Sequence, residues 1–402
     1  MAGLVNLTTL SAAFKTKYGK LADDTFDSST PLQARIKIVN DFVGSTYVEA
    51  IPTGFAGSVG AGSIPEANAE PMVQASFGAK KVYGRMKIDR EALYASKGNE
   101  GAFVELLSYQ TAATVKSYAR FAEFILMGDG TGKLGTIASG GVSGSNPYVL
   151  TISAATWLEA NFEEKDYVNI GTGSNDMFEI TAVDPANKQI TVNRISGSKV
   201  PAAADDIFMQ GSENNVPQGI KGVCDATSST KYGVNVGRRW QATQVDASGV
   251  GLSVDLMNQA VLELRRKCGQ NPKMILTSYT QYRKFQALLE DQKRYDMVTI
   301  QSRRGNYGPN LNGTVSFIGI QYLTTTGAIL VLESRFCDED RMYFLNDDYI
   351  KQVRRKGFGW FDDDGTVIMR MADSDAFEAR YGGYYENYII PSFQARIDNL
   401  AV

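Results

Sequence analysis

The chain has 402 residues, 43% of them hydrophobic and 21% charged, enough apolar material for two or three cores and too much for a disordered chain. Forty-one Lys and Arg against 44 Asp and Glu leave a formal charge of −3, so no chain-wide basic field argues for tight nucleic-acid binding. Histidine is absent. That removes the side chain titrating nearest neutrality, with most nucleophilic triads and most zinc sites, and shifts weight from catalysis toward a structural role. Cys224, Cys268 and Cys337 are odd in number and far apart, which fits incidental thiols in a reducing compartment better than a disulfide frame. No signal peptide precedes Leu10 and no apolar run approaches the roughly 18 residues that span a bilayer. The expectation is a soluble protein made in the cytoplasm, with no membrane partner.

Residues 1–30 are mixed and polar, with a short amphipathic piece at Thr9 to Tyr18, and read as an arm without a core of its own. Pro31 stands where a helix can begin, and Leu32, Ile36, Val39 and Phe42 follow at helical spacing. Tyr47 to Ile51 reads as strand. From Pro52 to Lys81 the composition turns to Gly54, Gly57, Gly60, Gly62 and Gly78 with three prolines and the acidic Glu66 and Glu70. A structureless loop of that length is out of place inside a compact domain, so it is read as an excursion ordered by another subunit. Its return limb, Ala75 to Leu93, alternates Phe77, Val82, Tyr83, Met86 and Ile88 with Lys81, Arg85, Lys87 and Asp89, as a solvent-facing strand does.

Gly101 to Met127 is the longest stretch with helical apolar spacing and no breaker, a rod of roughly 40 Å. Gly128-Asp129-Gly130-Thr131-Gly132 ends it, with Gly128 as the expected C′ glycine. Short strands rich in β-branched and aromatic residues follow at Tyr148 to Ile152, Tyr167 to Ile170, Phe178 to Val183 and Gln189 to Ile195, with a turn at Asp184-Pro185-Ala186-Asn187. Beyond Gly222 the pattern alternates helix and strand. Leu256 to Cys268 forms an amphipathic helix closed by Gly269, Lys273 to Thr277 a buried strand, and Ser278 with Gln281 a capping box for a second helix. Strands are expected at Val315 to Leu323, Ala328 to Leu332, Met342 to Leu345, Gly365 to Ala372 and Ala376 to Tyr381, with an aromatic stretch from Tyr384 to Ile390.

Few motifs carry chemistry. Gly128 to Lys133 lacks the Ser or Thr of a phosphate loop and follows a helix instead of leading into one. Asp362-Asp363-Asp364-Gly365 has adjacent carboxylates where a calcium loop alternates them. Arg265-Arg266-Lys267 is accounted for by the dipole of its helix C-terminus. Arg303-Arg304 and Arg354-Arg355-Lys356 neighbour Gly and aromatic residues and read as inter-subunit contacts. No catalytic constellation, cofactor site or metal site emerges, and the chain is read as a non-enzyme.

The order of parts resembles the major capsid proteins of tailed bacteriophages, which share the Hong Kong 97-type fold with encapsulin shells. The resemblance rests on the arm, the Gly/Pro-rich excursion returning through Ala79 to Asp89, and the long helix ending in Met127-Gly128-Asp129-Gly130-Thr131-Gly132. It implies an α+β chain with an N-terminal arm and start of the peripheral domain (1–50), an E-loop (51–90) and a peripheral domain with its spine helix (91–135). An axial domain (219–350), peripheral return strands (351–380) and an axial return (381–402) complete it. The β-rich stretch between Gly135 and Asn214 to Gly219, read from its composition as a small all-β insertion domain (136–218), is extra to the simplest family pattern and resembles the insertion domains that some capsid proteins carry on the shell exterior. Thr366 to Phe377 resembles the long peripheral-domain strand. The resemblance further implies pentamers and hexamers of an icosahedral phage shell, assembled in the host cytoplasm with a portal, around DNA contacted weakly. No long helical scaffolding segment precedes the arm, so the expectation is a separate scaffolding protein or none. Phe55, Glu66, Glu70, Phe77, Lys80, Lys81, Arg85, Arg303, Arg304, Arg354 and Arg355 are the expected inter-subunit contacts. Two alternatives remain open: an encapsulin-like compartment, and a carbohydrate-binding or carbohydrate-active protein stacking sugars on Trp157, Tyr148 and Tyr167.

Overall fold

The computed structural model describes residues 32–42, 44–52, 72–91, 100–225, 227, 230–235, 237–290, 297–301, 316–324, 327–362, 365–371 and 374–402. The expected arm (1–30), the tip of the excursion and Arg303-Arg304 lie outside them.

The chain opens on a short 3-10 turn, Gln33–Arg35, and strand β1, Lys37–Val39. The helix expected here does not form. Leu32 and Ile36 are buried at the expected spacing, but the β-branched Ile38 and Val39 pair in parallel with Gln352 and Val353, where the sheet meets their backbone hydrogen bonds and overrides the helical pattern. β2 (Thr46–Pro52) and β3 (Met72–Gly78) form a two-stranded antiparallel ribbon. The return limb is therefore two strands, because after Ala79 the chain starts β4 (Lys80–Asp89), which joins a different sheet.

Helix α1 spans Glu100–Met127. Its C-terminal half buries Val115, Tyr118, Ala119, Ala122, Ile125 and Leu126 against β4 and against β19 (Ala376–Ile389), the central strand of the first sheet. β19 pairs with β4 along one edge and, along the other, with the short β18 (Ile368–Arg370) and then β17 (Ile350–Trp360). The long strand thus lies at 376–389 instead of 366–377, and it crosses the expected boundary at 380 unbroken. A Cβ at Gly84 would lie in ordinary contact with Tyr118 at 3.5 Å, so the approach of the helix does not depend on glycine there. Tyr118 packs edge-on against Tyr381 at 5.2 Å and Phe358 at 5.7 Å.

Gly128 is not the left-handed cap. Gly130 (φ 84°) and Gly132 (φ 78°) take the positive φ angles, and the Asp129 carboxylate ties the turn by accepting from the Thr131 N–H at 2.9 Å and its hydroxyl at 2.5 Å.

Six strands then close a barrel in the order β10-β5-β6-β9-β8-β7. They are β5 (Lys133–Gly144), β6 (Tyr148–Ile152), β7 (Tyr167–Ile170), β8 (Met177–Asp184), β9 (Gln189–Ser196) and β10 (Asp206–Met209). Alternate residues such as Leu150, Ile152, Val168, Ile170, Phe178, Ile180, Ile190 and Val192 fill its interior, as period-two patterning in a small barrel requires. A short helix α2, Ile220–Cys224, returns the chain to the end of α1.

The remaining unit is a seven-stranded mixed sheet ordered β11-β20-β16-β12-β15-β14-β13. Its strands are β11 (Thr243–Asp246), β12 (Met274–Thr277), β13 (Met297–Gln301), β14 (Ser316–Thr324), β15 (Gly327–Glu333), β16 (Met342–Leu345) and β20 (Ala395–Asp398). Helix α3 (Val254–Cys268) packs on β11 and β20 and helix α4 (Tyr279–Glu290) on β15. Their caps follow the sequence closely. Ser253 accepts from the Leu256 N–H, Gly269 takes φ 72°, and the Ser278 hydroxyl accepts from the Gln281 N–H. The expected box is only half made, because Gln281 turns its amide to the Glu339 and Ala401 carbonyls.

Candidate inter-subunit surface

Two surfaces present themselves. The first is the face of the β4/β19/β17 sheet turned away from α1. Val82, Met86 and Ile88 face the core, so the alternation sends Lys81, Tyr83, Arg85 and Lys87 outward, beside Arg380 and Tyr384 on β19. Arg85 donates to Glu378 at 2.5 Å and Arg380 pairs with the same carboxylate. These two guanidinium groups hold Glu378 below the usual carboxylate range against its burial. Tyr83, Tyr384 and Phe361 pack on one another at 5.4–5.9 Å, with Lys81 over the Tyr384 ring and Lys356 4.2 Å over Phe361. The face is aromatic at its middle and positive around it.

The second is the β2/β3 ribbon at the base of the excursion. Its inner face is pinned by an aromatic chain, Phe42 to Tyr47 to Phe77, with Phe77 stacked on Tyr388 at 5.5 Å and against Tyr232 at 5.3 Å. Lys351 pairs with Glu49 at 3.0 Å. Its outer side leaves Val48 at 50% and Met72 at 65% exposure. A two-stranded ribbon is marginal in water, and this one carries apolar side chains out from the body.

The expected contact residues separate on these surfaces. Lys81, Arg85 and Arg355 stand exposed. Lys80 is half-buried and donates to the Asn214 carbonyl at 2.9 Å. Phe77 belongs to the aromatic chain within the subunit. Arg354 is buried, donates to Oε1 of Gln352 at 2.6 and 2.8 Å and lies 4.1 Å over Phe358. It lies inside β17, engaged within its own chain. Phe55, Glu66, Glu70, Arg303 and Arg304 fall outside the described residues.

Sequence reasoning missed a junction where helix, barrel and seven-stranded sheet meet. Arg120 of α1 donates to the Ala160 carbonyl at 2.9 Å and pairs with Glu163, which Arg335 also reaches at 3.4 Å. It also missed two buried carboxyls, Glu123 and Glu386. The only sequence signal for either was a lone acid inside an otherwise apolar or aromatic run. The sugar-stacking triad does not assemble: Tyr148 is inside the barrel, Trp157 stacks on Phe162 at 5.4 Å, and Tyr167 stands on the outside. Among the described residues, no group of three His, Cys, Asp or Glu side chains is placed to hold a metal ion.

The family model described as SU10 major capsid protein matches residues 186–358, from the β8/β9 turn through most of β17. No curated protein matches the sequence. Among solved structures, the capsid asymmetric unit of cyanophage A-1(L) superposes with a TM-score of 0.52 at 10% identity, covering 93% of each chain. The virus-like particle from Pyrococcus furiosus gives 0.43 at 8% identity over 95% of this chain and 98% of that one. The capsid of Myoviridae phage XM1 gives 0.42 at 8% over 92% and 91%. The fold rests on the cyanophage comparison: the chain has the Hong Kong 97-type capsid fold, and the resemblance to tailed-phage major capsid proteins drawn from the sequence stands.

Proposed function

We infer that this chain is a major capsid protein, a structural subunit that assembles with copies of itself into a phage shell. The observation that carries this is the agreement of fold over 93% of the chain with a phage capsid subunit, joined by the matched capsid-family segment. In finer detail, the subunits form the pentamers and hexamers of an icosahedral shell in the host cytoplasm, with a separate scaffolding protein and a portal, around DNA held by few phosphate contacts.

The inter-subunit contacts of this reading are the positive sheet face, through Lys81 and Arg85, the exposed Arg355 of β17, and the excursion carrying Phe55, Glu66 and Glu70, with Arg303 and Arg304 as a further pair. Charge supports the pairing, because residues 53–71 hold two acids and no Lys or Arg. Purified protein followed by sedimentation and electron microscopy tests the function: closed shells or capsomers support it, and a monomer at every concentration, with scaffold or without, overturns it. Lys81→Glu with Arg355→Glu tests the contacts. Both side chains are exposed, so the melt should stay within about 0.5 kcal/mol of the parent while assembly falls; unchanged assembly would remove this face from the contact.

A further inference from the structure

After β10 the polypeptide leaves the barrel and rejoins the body at Gln218, and that residue is gripped from three directions. Its N–H donates to Oε1 of Glu386 at 2.5 Å, its carbonyl accepts from Nδ2 of Asn387 at 3.0 Å, and its own Nε2 donates to the Asp129 carbonyl at 3.2 Å. Oε1 of Glu386 also accepts from the Asn387 N–H at 3.2 Å. Asn387 is steadied in turn by Nε2 of Gln352 at 3.2 Å. Two adjacent side chains of β19 therefore fasten the crossover from the barrel to the central strand.

Glu386 is 4% exposed, and the groups around it are few. From β4, Lys80 faces it, with its ammonium donated to the Asn214 carbonyl. From residues 230–235 comes Tyr232, whose hydroxyl donates to the Asn387 carbonyl at 2.6 Å. β17 sets Val353 opposite it, and the neighbouring Arg354 is engaged with Gln352 and Phe358. Tyr385 adjoins it on its own strand, and the Asp129 carboxylate at the end of α1 is turned to Thr131. Burial dominates and pushes the carboxyl up to about 8, against the pull of the two N–H donors and Lys80.

We propose that Glu386 is a latch: as a neutral carboxyl it holds the barrel's exit against β19, and on ionising it releases the crossover at Gln218. The direction follows from linkage. Released, the carboxyl meets water and returns toward its ordinary value of 4.5, whereas latched it sits at about 8. The latched form binds the proton more tightly, so between those values each pH unit favours opening by about tenfold, and above about pH 8 the effect levels off.

Amide hydrogen exchange on the full chain tests this, comparing the parent with Glu386→Gln, which keeps the Oε1 acceptor and cannot ionise. After correction for intrinsic exchange, peptides covering 210–219 in the parent should lose about a hundredfold in protection between about pH 6 and about pH 8. The interior strands β6, β8 and β9 should not, and the variant should show no such loss. Lys80→Met should move the upper limit of the change to higher pH, because a cation that favours ionisation is gone. A flat profile in the parent, or parallel profiles in parent and Glu386→Gln, overturns the latch. If Glu386→Gln fails to fold, a Lys80→Met profile identical to the parent's overturns it alone.

Discussion

Glycine decides how near the barrel's exit can come to the end of α1. A Cβ on Gly219 would fall 2.3 Å from the Gly128 carbonyl oxygen and 2.5 Å from that of Ile125, and one on Gly222 would fall 2.4 Å from that of Asp129. All are backbone atoms that cannot swing aside. Gly219→Ala should therefore cost about 1–3 kcal/mol as overpacking, seen as a lowered melting temperature, while Gly251→Ala, with open space around it, should melt like the parent. The oxygens that require both glycines come from residues about a hundred positions away, so the sequence around Gly219 does not show the reason for them. Glu123 makes the second residue-scale case. Its Oε1 accepts from the Leu32 N–H at 3.1 Å and the Gln33 N–H at 3.4 Å, and burial pushes it up to about 7 from 4.5 despite those donors. The folded state binds this proton more tightly, so its contribution to stability falls as pH rises from about 4.5 to about 7 and is constant above. Glu123→Gln should remove that slope: the gain in melting temperature over the parent should be larger at about pH 8 than at about pH 5, and an equal gain at both would contradict it.

Elements whose identity depends on local pattern were legible. The helix at Glu100–Met127, the capped α3, the all-buried β12 and the strands β6 to β9 are set by periodicity and by glycine or serine at their ends. Elements that depend on a distant partner were not. β1 carries helical spacing but pairs with β17, and β19 outruns its expected length because β4, β17 and β18 all flank it. Of the surface, the alternating cations of β4 were readable, while the burial of Arg354 was not, because it depends on the packing of Gln352 and Phe358 around it in β17. The barrel is the element whose independence can be measured. Its interior is filled by its own apolar side chains and its strands close on one another, leaving no free edge to be completed elsewhere. Residues 133–209 expressed alone should give dispersed amide signals and a single cooperative melt, and a collapsed spectrum would show that α1 is part of its core.

At the scale of the whole molecule, two sheets and a barrel make up the described body, and among the described residues the β2/β3 ribbon packs on it through one face. The ribbon's inner face is fixed by Phe77, Tyr232 and Tyr388 and by the Lys351–Glu49 pair, all outside residues 53–71. On the reading of the excursion as a segment ordered by a neighbouring copy, the body's stability should not depend on those residues. Replacing 53–71 with a short Gly/Ser link changes loop-closure cost by only about 1 kcal/mol or less, so circular dichroism and the thermal melt should match the parent. Assembly should fail. In a closed symmetric shell every subunit carries the same deletion at the same interface, so a modest deficit is repeated around each capsomer. Sedimentation and electron microscopy would then show folded monomers or isolated capsomers. An unfolded deletion would mean that the segment belongs to the subunit's own core, and normal shells would mean that the ribbon bears no load between subunits.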